Sequence, residues 1–236
     1  MLADLKKLFV NILLLILVVP NVVFGQLGIK VGVALSGYQP SQNLSGEYTH
    51  DYRPFLGYEI EWLQDDEGSP DIGLQLGVFY TVTISKYFDF QPEIYYSQRG
   101  IHFYKTKLYN ISYNLNVAYL EMPILFKYKI PFDWAVAPGL QAGPYFSLTL
   151  SSKRTLDFGD ESDTKSVDGV NNYDYGLLFA LNFEFPELLA SPLLELRFNW
   201  GLANTMRQPE EYTNLYEDPG TIKLYALTLL TGFRIL

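Results

Sequence analysis

Apolar and polar residues alternate with a period of two along most of the chain after its N-terminal segment. This alternation is typical of β-strands whose two faces meet different surroundings. In FDFQPEIYYSQRG, residues 88–100, Phe88 and Phe90 fall on one phase, whereas Glu93 and Arg99 fall on the other. No long stretch keeps the spacing of an amphipathic helix. The pattern therefore predicts an all-β protein.

Eight main strands are predicted from the alternation and from the turn residues that separate its segments. They cover about residues 28–38, 72–84, 87–104, 115–129, 132–150, 173–185, 192–203 and 222–235. The stretch FLGYEIEWL, at 55–63, also looks like a strand. We interpret it as an extension of a hairpin within the long 39–71 segment, because a further wall strand would make the total odd.

The predicted connections alternate in length. Those after the second, fourth and sixth strands are short, whereas the others are longer and mostly rich in Asp, Glu, Ser, Asn, Gly and Pro. An even number of strands with short turns at one end and long loops at the other is typical of bacterial outer-membrane barrels. The sequence therefore predicts an eight-stranded antiparallel up-and-down transmembrane β-barrel with short periplasmic turns and long extracellular loops.

The fifth predicted strand indicates which face of the sheet meets lipid. Its less apolar phase carries small residues, among them Ala135, Ala137, Gly139 and Gly143. Small residues are poor choices for a water-exposed sheet face, but they suit the crowded interior of an eight-stranded barrel. We therefore predict that the apolar and aromatic phase faces lipid and that the charged phase faces inward.

Aromatic residues near the ends of the predicted strands fit the interfacial girdle of a membrane barrel. The candidates are Phe88, Phe90, Trp134 and Trp200. The alternative interpretation is ordinary packing in a soluble barrel.

The N-terminal segment has the features of an export signal. Lys6 and Lys7 precede an apolar run that ends at Pro20. The run is shorter than the roughly 20 residues that a transmembrane helix needs. We predict a cleaved signal peptide at residues 1–25 and a single barrel domain at residues 26–236, with an uncleaved anchor as the alternative.

Composition excludes several classes of function. Charged residues make up 18% of the chain, aromatic residues 16%, and cysteine is absent, so disulfides and thiolate metal sites are excluded. The two histidines, His50 and His102, lie far apart in the sequence. Without the leader the chain carries 15 basic and 25 acidic residues, which does not indicate a nucleic-acid partner. No cofactor or resident metal is predicted, although the acidic loops leave divalent-cation bridging open.

Four stretches resemble the PorT-like outer-membrane β-barrel proteins of Gram-negative bacteria. They are GLQLGVFYTVTISKYFDFQPEIYYSQRG (73–100), YLEMPILFKY (119–128), PGLQAGPYFSLTL (138–150) and LELRFNWGLANT (193–205). The resemblance implies an outer-membrane location, contact with outer-membrane lipid and insertion by the barrel-insertion machinery. The name-giving member acts in type IX protein secretion, but most relatives have no assigned role, so that function does not carry over.

Charged residues on the inward phases are the candidate site. They are Glu93, Arg99, Glu121, Lys127, Glu195 and Arg197. A charge inside a narrow barrel is costly unless it is paired, so we predict a salt-bridged network in the lumen. Within it, Arg197 is expected to serve both Glu93 and Glu121, which are expected to lie side by side at similar height.

These observations predict a non-catalytic outer-membrane barrel with a packed polar lumen and a structural or accessory role at the cell surface. A small passive or gated pore is one alternative. A membrane-embedded enzyme is another, since two inward glutamates could perform acid–base chemistry, but no nucleophile motif accompanies them. A surface or periplasmic protein partner is left open.

Overall fold

The computed structural model describes residues 25–40, 69–105, 111–132, 135–158, 161–167, 169–205 and 222–235. These ranges contain nine strands and no helix long and apolar enough to cross a membrane. The strands are β1 (Gly25–Pro40), β2 (Ser69–Thr83), β3 (Phe88–Lys105), β4 (Ile111–Lys129), β5 (Ala137–Phe158), β6 (Glu161–Ser166), β7 (Tyr173–Glu184), β8 (Leu193–Gly201) and β9 (Ile222–Arg234).

Eight of these strands close into a barrel. Their order in the sheet is β4-β3-β2-β1-β9-β8-β7-β5, every neighbouring pair is antiparallel, and β4 also pairs with β5. The pairing of β1 with β9 joins the first and the last described strands within the same wall. The predicted all-β fold, an eight-stranded antiparallel barrel, is therefore confirmed.

The strand β6 was not predicted. The wall strand β5 continues to Phe158, beyond its predicted end, and β6 folds back along the outer part of β5. Among the described residues β6 pairs only with β5, so it extends a hairpin without adding to the wall. All six residues of β6 are exposed, and a strand with no buried face leaves no alternation to detect.

The alternation of connection length holds with one exception. Short turns at residues 84–87, 130–136 and 185–192 join β2 to β3, β4 to β5 and β7 to β8. The connection after β3 is also short, residues 106–110, because the pairing of β3 with β4 continues to Lys105 and Ile111. The strand-like stretch at 55–63 and the predicted leader before residue 25 lie outside the described residues.

The two faces of the wall differ as predicted. Along β8, Leu196 and Trp200 are 45% and 50% exposed, whereas Glu195 and Arg197, on the alternate phase, are fully buried. The outward face of β8 thus presents apolar side chains to the surroundings, and the inward face presents charges. The small residue Gly143 is needed where two strands approach closely, since a Cβ atom at 143 would lie 2.0 Å from the backbone oxygen of Ile124.

Aromatic residues also occupy the lumen, although the sequence pattern predicted that the aromatic residues would face lipid. Five inward aromatic side chains are at most 4% exposed: Tyr38, Phe79, Tyr95, Tyr119 and Tyr145. Flat rings fill a narrow interior efficiently, and their faces attract the cations beside them. The lumen is therefore packed by both rings and charges.

Candidate functional site

The lumen contains three groups of paired charges at successive heights along the strands. The central ring consists of Lys30, Glu93, Glu195 and Arg197; the upper cluster, nearer the long loops, of Arg99, Glu121 and Asp174; the lower cluster, nearer the short turns, of Lys127, Glu184 and Arg234. Together they hold five cationic and five anionic side chains, so the groups as a whole carry no net charge.

The central ring is closed by four ion pairs. Nζ of Lys30 lies 2.7 Å from Oε1 of Glu93 and 2.7 Å from Oε2 of Glu195. Arg197 donates from Nη2 to Oε2 of Glu93 at 2.6 Å and from Nε to Oε1 of Glu195 at 2.8 Å. Each carboxylate thus binds one cation through each oxygen, and all four side chains are shielded from solvent.

The central ring crosses the barrel from wall to wall. Glu93 comes from β3 and Arg197 from β8, and three strands separate β3 from β8 on either side of the barrel. Neutral neighbours fix the side chains: Nε2 of Gln91 donates to Glu93 at 2.6 Å, and the ring of Tyr95 lies 4.9 Å from Cζ of Arg197. The ring therefore blocks the lumen at its own height.

The upper cluster is centred on Arg99. Its guanidinium forms an ion pair with Glu121, and its Nη1 lies 3.9 Å from Oδ2 of Asp174. Its Cζ lies 5.6 Å from the ring centres of Tyr119 and of Tyr145. The hydroxyl of Tyr145 also donates a hydrogen bond to Asp174 at 2.9 Å, so Tyr145 contacts both Arg99 and its acidic partner.

The expected sharing of Arg197 between two glutamates was right for Glu93 but wrong for Glu121. Glu121 pairs with Arg99 and accepts a hydrogen bond of 3.1 Å from Asn199. The register of β3 and β4 places Glu121 opposite Tyr95, two residues along from Glu93. The side chain of Glu121 therefore lies one inward position nearer the long loops than that of Glu93. For this reason Glu121 joins the upper cluster and Glu93 joins the central ring.

The lower cluster lies where the lumen opens toward the short turns. Lys127 forms an ion pair with Glu184, whose second oxygen accepts a hydrogen bond of 2.7 Å from Arg234. Nearby, Lys129 and Asp89 form a partly exposed pair at 2.7 Å. Because the side chain of Lys129 is 32% exposed, water screens this pair, so we expect removing one of its partners to cost less than removing one partner from the central ring.

The candidate list from the sequence lacked both acidic residues of β7, Asp174 and Glu184. The alternation could have identified both as inward residues, because they share the inward phase of β7 with Asn182. Lys30 takes its place in the closed ring through the pairing of β1 with β2 and β9.

The outward aromatics lie at the edges of the apolar face. Phe88 is 49% exposed and lies 5.3 Å from Tyr128, centre to centre, while Phe90 lies 5.5 Å from Phe126. Trp200 faces outward near the other end of its strand. The fourth candidate, Trp134, lies outside the described residues.

A closed barrel with an apolar outer face and a core of paired charges defines an integral membrane β-barrel protein. The family model for the outer membrane protein beta-barrel domain matches residues 26–207, and the chain belongs to that family. The narrower PorT-like group stays a prediction.

The chain is also similar to several solved structures. OprG from Pseudomonas aeruginosa is 14% identical, covering 90% of this chain and 97% of its own, with a TM-score of 0.47. Ail of Yersinia pestis is 12% identical, covering 89% and 99%, with a TM-score of 0.41. Neisserial surface protein A is 11% identical, covering 89% and 97%, with a TM-score of 0.41. No curated protein matches the chain.

Proposed function

We propose that the protein is a non-catalytic integral outer-membrane barrel whose lumen is closed to solutes and which has a structural or accessory role at the cell surface. The central ring carries this proposal. Its four charged side chains reach across the barrel, bind one another on every carboxylate oxygen and are shielded from solvent. An eight-stranded barrel has room for side chains inside but not for a wide aqueous channel.

An ion that crossed such a lumen would have to separate the pairs of the central ring. Separating a buried pair leaves charges without partners, which is strongly unfavourable. The pore hypothesis requires that this barrier be overcome. The closed ring therefore favours the packed, non-conducting barrel over the gated pore.

We expect the purified protein to show no porin-like conductance in planar lipid bilayers. A double variant, Glu93→Ser with Arg197→Ser, removes both sides of the cross-lumen contact while keeping the net charge, and it should raise the conductance. A variant of the exposed pair on β6, Asp163→Ser with Lys165→Ser, is the matched control and should stay silent. Stable large openings in the unmodified protein would instead establish the pore.

The same geometry argues against an enzyme. Acid–base catalysis needs a carboxyl group that can exchange protons with a substrate. Glu93 and Glu195 each use both oxygens to bind Lys30 and Arg197, and neither is accessible. The proposal therefore assigns these carboxylates to the packed core.

The proposal includes export through a cleaved leader. We expect the protein to fractionate with the outer membrane and its mature chain to begin at Gln26, as read by N-terminal sequencing. Unboiled samples should migrate differently from boiled ones on a detergent gel, because a closed barrel resists unfolding by detergent. Recovery as a soluble periplasmic protein would contradict the assignment.

The surface role is supported by the strands that extend furthest. Strands β3, β4 and β5 have 18, 19 and 22 residues, more than the roughly 9–11 needed to cross the bilayer. Their outer parts are continuous with the β5–β6 hairpin, so a paired sheet extends from the barrel on the long-loop side. A secretion-related role would be one finer form of this accessory role, but the PorT-like motifs by themselves do not assign it.

A further inference from the structure

The turn between β7 and β8, residues 185–192, presents two adjacent leucines to the exterior. Leu188 is 57% exposed and Leu189 is 98% exposed. Turns that face water are usually built from polar residues, glycine and proline. The sequence of this turn, FPELLASP, therefore places its most apolar residues where water contact would be greatest.

The two exposed leucines lie in an ordered turn. The amide of Leu188 donates to the carbonyl of Phe185 at 3.1 Å, and the amide of Ser191 donates to the carbonyl of Leu188 at 3.0 Å. The amide of Arg234 on β9 donates to the carbonyl of Ala190 at 3.2 Å, which fixes the turn to the neighbouring strand. The two leucines are thus held at the tip by defined backbone hydrogen bonds.

The backbone of the turn is also strained. Ala190 and Ser191 have φ values of 63° and 42°, in the left-handed region that residues other than glycine rarely adopt. Such conformations persist where the surrounding structure requires them, and they accompany functional positions more often than others. This geometry keeps Leu188 and Leu189 at the tip of the turn.

The outward apolar face of the wall continues into the base of this turn. Along the β7–β8 hairpin, the outward pair Phe183 and Leu194 is followed toward the tip by Phe185 and Pro192, which are themselves joined by a backbone hydrogen bond of 2.9 Å. Pro186 and Glu187 on one side, and Ala190 and Ser191 on the other, separate this pair from the two leucines. The base of the turn therefore carries the surface that faces lipid higher on the wall, and the leucines lie just beyond it at the tip.

The other short turns share this character. We name the apolar rim as the exposed apolar residues of the three short turns: Ile84, Tyr87, Phe132, Leu188 and Leu189. They are between 41% and 98% exposed and come from three separate connections. Each of the three short turns thus exposes apolar side chains, beside the polar residues Ser85, Lys86 and Glu187.

We infer that the apolar rim, led by Leu188 and Leu189, is inserted into the periplasmic leaflet of the outer membrane. The rim directly adjoins the lipid-facing wall, at Phe185 and Pro192 in one turn and where Tyr87 precedes Phe88 in another, which identifies lipid, not a protein partner, as what covers it. Burying these side chains among acyl chains removes apolar surface from water, which is favourable. The rim then anchors the barrel and sets the depth at which its periplasmic end lies.

The absence of cysteine allows a direct test with single labels. Leu189→Cys and, separately, Leu188→Cys would carry a nitroxide in the folded protein reconstituted into phosphatidylethanolamine and phosphatidylglycerol vesicles. Two reference positions bracket the result: Leu196→Cys on the lipid-facing wall and Ser162→Cys on the exposed strand β6. Collision rates are measured with oxygen, which concentrates in lipid, and with a water-soluble nickel complex.

Both turn labels should collide more with oxygen than with nickel, as the label at Leu196 does, whereas the label at Ser162 should show the reverse order. The gel shift between unboiled and boiled samples verifies that each variant is folded. If either turn label behaves like Ser162, the rim lies in water and the inference is wrong. Low collision rates with both reagents in native outer membranes, but not in vesicles, would identify a protein cover and would also overturn it.

Discussion

Replacing Arg197 by leucine is expected to lower the free energy of unfolding by about 3–5 kcal/mol, the usual loss when one partner of a buried ion pair is removed. Arg197 binds Glu93 and Glu195 together, and Lys30 alone would then face both carboxylates. The measurement is urea unfolding of the protein in lipid vesicles, followed by tryptophan fluorescence.

Two controls separate this effect from a simple loss of packing. Replacing the whole central ring by apolar residues (Lys30→Met, Glu93→Leu, Glu195→Leu, Arg197→Met) should cost much less, because no charge remains without a partner. Glu121→Gln should add independently to Arg197→Leu, since Glu121 binds Arg99 and shares no partner with Arg197. Equal losses in the single and the full variants would show that these residues do not act as one network.

Placing a charge on the outer face should also be strongly destabilising. Leu196→Arg, in the middle of the outward face of β8, is expected to cost about 2–4 kcal/mol, because the guanidinium would lie among acyl chains. The quantity to measure is again the free energy of unfolding in lipid vesicles.

The matched control lies at the end of the same face. Leu202→Arg, where the wall ends at the long-loop side, should cost only about 0–1 kcal/mol, because its charge can reach the interface. A loss at Leu202 as large as that at Leu196 would contradict the assignment of β8 to the membrane.

Some features of the fold could be predicted from local pattern alone. The strand at 192–203 was placed within two residues of β8 (Leu193–Gly201), because each outward apolar residue alternates with an inward polar one. The strand β6 escaped detection because both its faces are exposed. The leucines at 188 and 189 were assigned to a connection, and only their exposure and their position beside the wall gave them a role.

The candidate site was likewise predicted in part from the local sequence pattern and in part only from the tertiary structure. The sequence identified Glu93, Glu195 and Arg197 as inward, since one strand's phase fixes which face a side chain joins. It paired Arg197 with Glu121 incorrectly, because that choice depends on the relative height of two strands across the barrel. Register and closure are properties of the whole sheet.

By itself, the sequence therefore determined that the chain forms an even-stranded barrel with an apolar exterior and a charged interior. A two-residue period is a local property, and it needs only the chain on either side of each residue. The tertiary structure alone decided which charges meet, because β3 and β8 face one another only once β4 pairs with β5 and the sheet closes. That closure brings Glu93 and Arg197, far apart in the chain, within 2.6 Å of one another.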